Sequence, residues 1–138
     1  MRYLKPLYAL AEDTSDEVVL LGGECVCGHV FFPMQAYGCE VCGRHGQALQ
    51  PLVLRGRGRL VASAAVHIHG DKARPAPFTV VEIALEQGPT IRTLLAEATG
   101  NPAPGVPMRA TLVWAGSEVG DDLFDLRFAP VQDSVAGA

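Results

Sequence analysis

Every cysteine of the chain falls within one stretch of twenty residues, ECVCGHVFFPMQAYGCEVCG, from Glu24 to Gly43. They form a pair with one residue between them, Cys25 and Cys27, and a pair with two, Cys39 and Cys42. A segment this short has little apolar material of its own to bury. Thiolates delivered in two close pairs suit one tetrahedral zinc ion. GCEVCG makes a regular metal knuckle, in which Gly43 is free to take a left-handed conformation. CVCG is one residue shorter. In a flat strand, residues i and i+2 share a face, and their sulfurs would stand too far apart for a tetrahedron. The backbone is therefore expected to curl there, with Gly28 permitting it. Four sulfurs on one zinc ion is the first expectation. His29 and His45 are spare donors, so replacement of one cysteine by either stays open, as do a disulfide and a site without metal. Four cysteine ligands leave no open position for water, which makes the expected role of the metal structural.

A chain of 138 residues makes one core, or one core with a small satellite. Hydrophobic residues reach 49% and charged residues 19%, a surplus that points to a buried subunit interface. The net charge of −4 argues against a general nucleic-acid binder, which would be basic. MRYLKPLYALAED lacks the unbroken apolar run of a signal peptide, and no segment reaches the roughly 18 apolar residues of a membrane span. The expected location is the cytoplasm, where thiols stay reduced.

Leu4, Leu7, Tyr8 and Ala11 recur at i, i+3, i+4 and i+7, which predicts a short N-terminal helix over residues 1–12. VVLLGG reads as a strand entering the cysteine segment. From Leu52 to Ile68 the pattern has period two, with Leu52, Leu54, Gly56, Gly58, Leu60, Ala62, Ala64, Val66 and Ile68 on one face and Arg55, Arg57, Arg59, Ser63, His67 and His69 on the other. This predicts one long, half-buried antiparallel strand, bent at Gly56 or Gly58 so that it serves two sheets. Strands are expected at 78–85, 90–95, 108–115 and 123–130, with a Pro/Gly-rich connection over 96–107. The predicted class is mainly β. A helix and linker occupy 1–17, a rubredoxin-like zinc ribbon 18–48, a five-stranded OB-fold barrel 49–130 and a flexible tail 131–138. A short sandwich is the alternative.

HIHGD places His67 and His69 on one strand face with Asp71 beyond, but a third imidazole is hard to supply, and a polar strand end is the expected reading. Arg55, Arg57 and Arg59 form a basic stripe. It is either a solvated face paired to acids or a set of guanidinium forks for phosphate. Single-stranded nucleic acid would also want aromatics among the arginines, and the aromatic residues are expected on core-facing positions instead. No catalytic constellation or nucleotide fingerprint is visible.

The order of parts, with CxCG…FFP…GCxxCG, GRGRLVASAAVH, PFTVVEIALEQGPTIRTLL, GVPMRATLVW and RFAPV, resembles the zinc-ribbon/OB-fold proteins that accompany thiolases, over about residues 18–130. A narrower likeness is to the zinc-finger subunit of an aromatic acyl-CoA thiolase. The resemblance implies a small, non-catalytic subunit in a hetero-oligomer with a thiolase-superfamily acyltransferase, or with a hydratase or aldolase, handling acyl-CoA. It implies docking on the catalytic subunit and a part in forming its acyl-CoA site. It also implies that Cys25, Cys27, Cys39 and Cys42 hold Zn2+. In such a complex Arg55, Arg57 or Arg59 would reach the phosphates of coenzyme A.

Overall fold

A computed structural model describes residues 2–11, 17–67, 77–97 and 101–131. Its strands are β1 (Arg2–Tyr3), β2 (Tyr8–Leu10), β3 (Val18–Cys25), β4 (Val30–Phe31), β5 (Leu49–Arg55), β6 (Arg57–Val66), β7 (Phe78–Leu85), β8 (Thr90–Leu94), β9 (Pro107–Glu118) and β10 (Asp121–Pro130). One turn of 3-10 helix, Gly46–Ala48, leads into β5. The protein is mainly β and its described residues contain no α-helix.

The N-terminal stripe does not make the expected helix. β1 lies parallel to β10, with Arg2 opposite Leu123 and Tyr3 opposite Phe124, and β2 runs antiparallel to β3. Two neighbouring edges offer backbone partners to this segment. About two turns of helical spacing, interrupted by Pro6, cannot compete with those ladders. Tyr8 is buried instead, with its hydroxyl donating to the Phe124 carbonyl at 3.0 Å and to Asp125 at 3.1 Å.

In the smaller sheet, β3 pairs with β2, β4 and β5. The larger has the order β1-β10-β9-β6-β7-β8. The long strand foreseen from Leu52 to Ile68 is two strands, split at Gly56. β5 belongs to the smaller sheet and β6 to the larger, so the expectation that a glycine lets one run of chain serve both sheets is what the structure shows. At Gly56 a Cβ atom would collide with the Val18 carbonyl oxygen and the Ala110 side chain. Those two residues belong to β3 and β9, so the corner is where the sheets press together and only hydrogen fits.

The larger sheet curls until its ends meet. Leu95, just past β8, forms a parallel bridge with Phe128 of β10, and the Ala96 amide donates to the Phe128 carbonyl at 2.8 Å. Five strands thus form a ring through β6, β7, β8, β10 and β9. Period-two alternation fills it: Val81, Ile83 and Leu85 of β7, Met108 and Ala110 of β9, Leu126 and Phe128 of β10, and Leu60 of β6 are buried. The alternation overshoots in two places. A register shift between Leu60 and Ala62 starts a stretch in which Ala62 and Ala64 are exposed. On β9, Trp114 continues the face of Met108 and Ala110 yet is 62% exposed, because the strand has run past the core. Its indole N–H donates to Asp122 at 3.1 Å. Trp114 therefore departs from the expected core-facing aromatics.

Candidate metal centre

β3 ends at Cys25, and the chain reverses at once: the Gly28 amide donates to the Cys25 carbonyl at 2.8 Å and the Cys25 amide to the His29 carbonyl at 2.9 Å. Gly28 sits at φ +98°, in the left-handed region. This is the curl that CVCG demands. It leaves Cys25 on the buried strand end and Cys27 on the exposed turn. The second knuckle is closed by the Gly43 amide donating to the Cys39 carbonyl at 2.9 Å and the Cys39 amide to the Arg44 carbonyl at 2.8 Å. Again one cysteine of the pair, Cys39, is buried and the other, Cys42, exposed.

The knuckles interleave. The Cys25 and Cys42 sulfurs are 3.5 Å apart, those of Cys27 and Cys39 3.8 Å, and all four lie within 4.8 Å of one another. Zn–S bonds of about 2.3 Å in a tetrahedron put sulfurs roughly 3.8 Å apart. The donor set and its spacing fit a structural zinc ion, and all four cysteines are free of disulfides. Among the described residues no histidine joins the cluster. His29 is engaged elsewhere: its Nε2 lies 2.8 Å from Glu40 and its ring stacks on Phe31. Phe31 itself is buried with Cys25, Cys39 and Leu49, with Met34 against them, so part of the VFF run packs beside the sulfurs.

The thiols respond to this crowding in opposite ways. The Arg44 backbone amide, then its guanidinium, favours the Cys42 thiolate, and against some desolvation its pKa falls to about 6. At Cys25 the Cys27 amide pulls the same way, but desolvation and the neighbouring sulfurs of Cys42, Cys27 and Cys39 prevail, pushing it up to about 12. Four packed sulfurs cannot all ionise without a cation among them. Zinc would supply that charge, and its binding would expel the remaining protons. Arg44 was not singled out from sequence; its only signal was a cation two residues past the last cysteine.

The basic stripe is broken up by the joint at Gly56. Arg55 stands 3.6 Å from Glu86, Arg57 donates to Glu17 at 3.0 Å, and Arg59 donates to the Gly105 carbonyl at 2.9 Å. Arg57 lies directly opposite Arg109 on β9, a cation the sequence did not connect to the stripe. His67 lies one residue past the end of β6, while His69 and Asp71 lie outside the described residues.

No protein-family model matches the chain, and no curated protein matches it. Among solved structures it is similar to a chain of an "Ltp2-ChsH2(DUF35) aldolase". The identity is 21% and the TM-score 0.58, over 80% of this chain and 84% of that one. At that identity the likeness shows a shared fold. No helix among the described residues is long and apolar enough to cross a membrane.

Proposed function

We propose that this chain is a non-catalytic, zinc-holding accessory subunit of an acyl-CoA enzyme complex, docked on a thiolase-type acyltransferase or an aldolase. The observation that carries the reading is the fold likeness, over four-fifths of the chain, to a DUF35 protein described together with an aldolase. The closed four-sulfur cluster supports it, since four protein ligands leave no position for substrate on the metal. So does the surface around that cluster, where Val26, Val41 and Tyr37 are 69%, 66% and 87% exposed. Apolar side chains grouped at the tip of a metal knob suit burial against a partner.

The remaining parts follow from the same reading. Residues 18–48 are the ribbon and 49–130 an OB-type barrel, with Leu49–Arg55 as the strand that joins them; the ring of strands described above supports that assignment. In the complex, Arg55, Arg57 and Arg59, now with Arg109, face the phosphates of coenzyme A. The ion pairs of Arg55 with Glu86 and of Arg57 with Glu17 in the isolated chain support the competing role of a solvated face.

The test is purification from the native source under mild conditions. A catalytic subunit should accompany the tagged chain in fixed ratio and act on CoA thioesters. Cleavage that consumes free CoA would mark a thiolase; carbon–carbon cleavage without it would mark an aldolase. A monomeric chain, whose removal leaves such enzymes equally active and stable, would sink the proposal. Within an active complex, Arg57→Ala should raise KM about tenfold or more with a smaller change in kcat if it binds phosphate. Unchanged KM for it and for Arg55→Ala and Arg59→Ala would leave the stripe as surface.

A further inference from the structure

A cleft of about 290 Å3 opens on the ring of strands, with no cysteine and none of Arg55, Arg57 and Arg59 in its lining. It lies along the seam between β8 and β10. Past the Leu95–Phe128 bridge the two strands part, and the reason is visible on β10. The Leu126 amide donates to the Asp125 carboxylate at 2.8 Å, and the Leu126 carbonyl accepts from Arg127 at 2.9 Å. The Phe124 carbonyl is already taken by the Leu4 amide at 2.7 Å and by the Tyr8 hydroxyl. With those groups satisfied locally, the ladder to β8 cannot continue, and the separation is built into the fold.

The floor is apolar, formed by Leu7, Phe32, Ile91, Leu94 and Leu126. Cations line it. Arg127 spends one nitrogen on Asp125 and Leu126, and Arg92 spends its Nε on Glu82 at 2.9 Å. The other guanidinium nitrogens of both, and the Lys5 ammonium, make no hydrogen bond among the described residues. Asp125 cannot act as a competing free acid, because Tyr8, Leu126 and Arg127 occupy its oxygens. Three cations against the carboxylates of Asp125 and Glu82 leave one positive charge over an apolar floor.

We propose that this seam cleft binds a small amphipathic carboxylate, its apolar body on Ile91, Leu94 and Leu126 and its anion among Lys5, Arg92 and Arg127. The volume matches roughly ten water molecules of liquid and sits at the low end of small-molecule pockets, about 300 Å3. Guanidinium forks accept a carboxylate in a planar, two-bonded arrangement. The site needs no partner subunit, so it stands or falls apart from the accessory role.

The experiment is amide NMR on the zinc-loaded full chain, titrated with octanoate, 1-octanol and inorganic phosphate. Octanoate, below its aggregation concentration, should give saturable shifts at Ile91–Leu94 and Leu126. The alcohol should bind at least about tenfold more weakly, as expected for loss of one charged hydrogen bond. Phosphate should leave these amides unmoved. Lys5→Glu, an exposed change, should weaken octanoate by about tenfold and leave octanol alone. Thr93→Trp should block both by filling the mouth. No saturable shift, equal binding of acid and alcohol, or shifts centred on Arg57–Arg59 would each overturn the proposal.

Discussion

Around the sulfurs, the buried residues are Cys25, Phe31, Cys39 and Leu49, with Met34 packed on them. In the larger cluster, Leu20, Leu54, Val81, Ile83, Met108 and Phe128 are all sealed from solvent, and the cluster runs unbroken from the N-terminal segment to β10. Two regions of one chain thus rely on different forces. The barrel, with β3 and β5 packed on it, folds because apolar area leaves water, spread over many side chains. The ribbon has too few such side chains, and its two knuckles instead bring four sulfurs to within 4.8 Å of one another, where one zinc ion would tie them together. A distributed cohesion weakens gradually; a concentrated one fails at a single atom.

The sharpest way to break the comparison is to take away the metal. Structural zinc in small sites carries about 10–16 kcal/mol of apparent binding energy, most of it folding energy. Chelation, or Cys39→Ser or Cys42→Ser, should melt residues 25–46 while the barrel amides keep their dispersion by NMR. A clean protein without zinc, or variants with full zinc, would remove the distinction. Because zinc displaces thiol protons, above all from Cys25, affinity should fall as pH falls, and zinc uptake should release acid. Next comes the barrel's centre. Phe128 is fully buried, so Phe128→Ala should cost about 3–5 kcal/mol of global stability in denaturant unfolding without altering the zinc content of the folded protein.

Smaller effects test the joint and the seam. Gly56→Ala puts a methyl against the Val18 carbonyl and Ala110 and should cost about 1–3 kcal/mol, as overpacking does. If it is neutral, the two sheets do not press at this corner. Asp125→Asn should cost on the order of 1 kcal/mol at neutral pH. Burial alone would raise the Asp125 pKa, but the hydrogen bond and charge of Arg127, then the Tyr8 hydroxyl and the Leu126 amide, hold it below the ordinary value. A carboxylate with a depressed folded pKa contributes stability above its unfolded value, near 4, and loses that contribution as pH falls through the folded one. The wild type should therefore lose this increment below about pH 4, and Asp125→Asn should show a flatter acid limb.

Legibility from sequence differed between the same regions. The ribbon was read from residue identity: four cysteines at fixed spacing admit few geometries, and even the short knuckle announced that the backbone must curl at Gly28. The strands of the barrel were read from periodicity, which located Phe78–Leu85 and the hairpin to Thr90–Leu94 because one face of the pair, with Val81, Ile83, Leu85 and Ile91, is held against the core. Periodicity failed where strands outrun the core, at Ala62, Ala64 and Trp114, since it records which face a residue takes and not what covers that face. It failed again at Leu4, Leu7 and Tyr8, where the deciding partners, β3 and β10, are distant in sequence. The seam cleft was invisible for that reason too: Lys5, Arg92 and Arg127 come from three separate segments.

The corner at Gly56 has a mechanical consequence. Ribbon and barrel are not beads on a string: a single run of chain, Leu49 to Val66, is laced into the smaller sheet on one side of that glycine and into the larger on the other. The sulfur-bearing tip is therefore a cantilever with its root clamped at the corner. It cannot swivel without unlacing a ladder, so a load applied at Val26 or Val41 is felt as torque where β3, β6 and β9 converge.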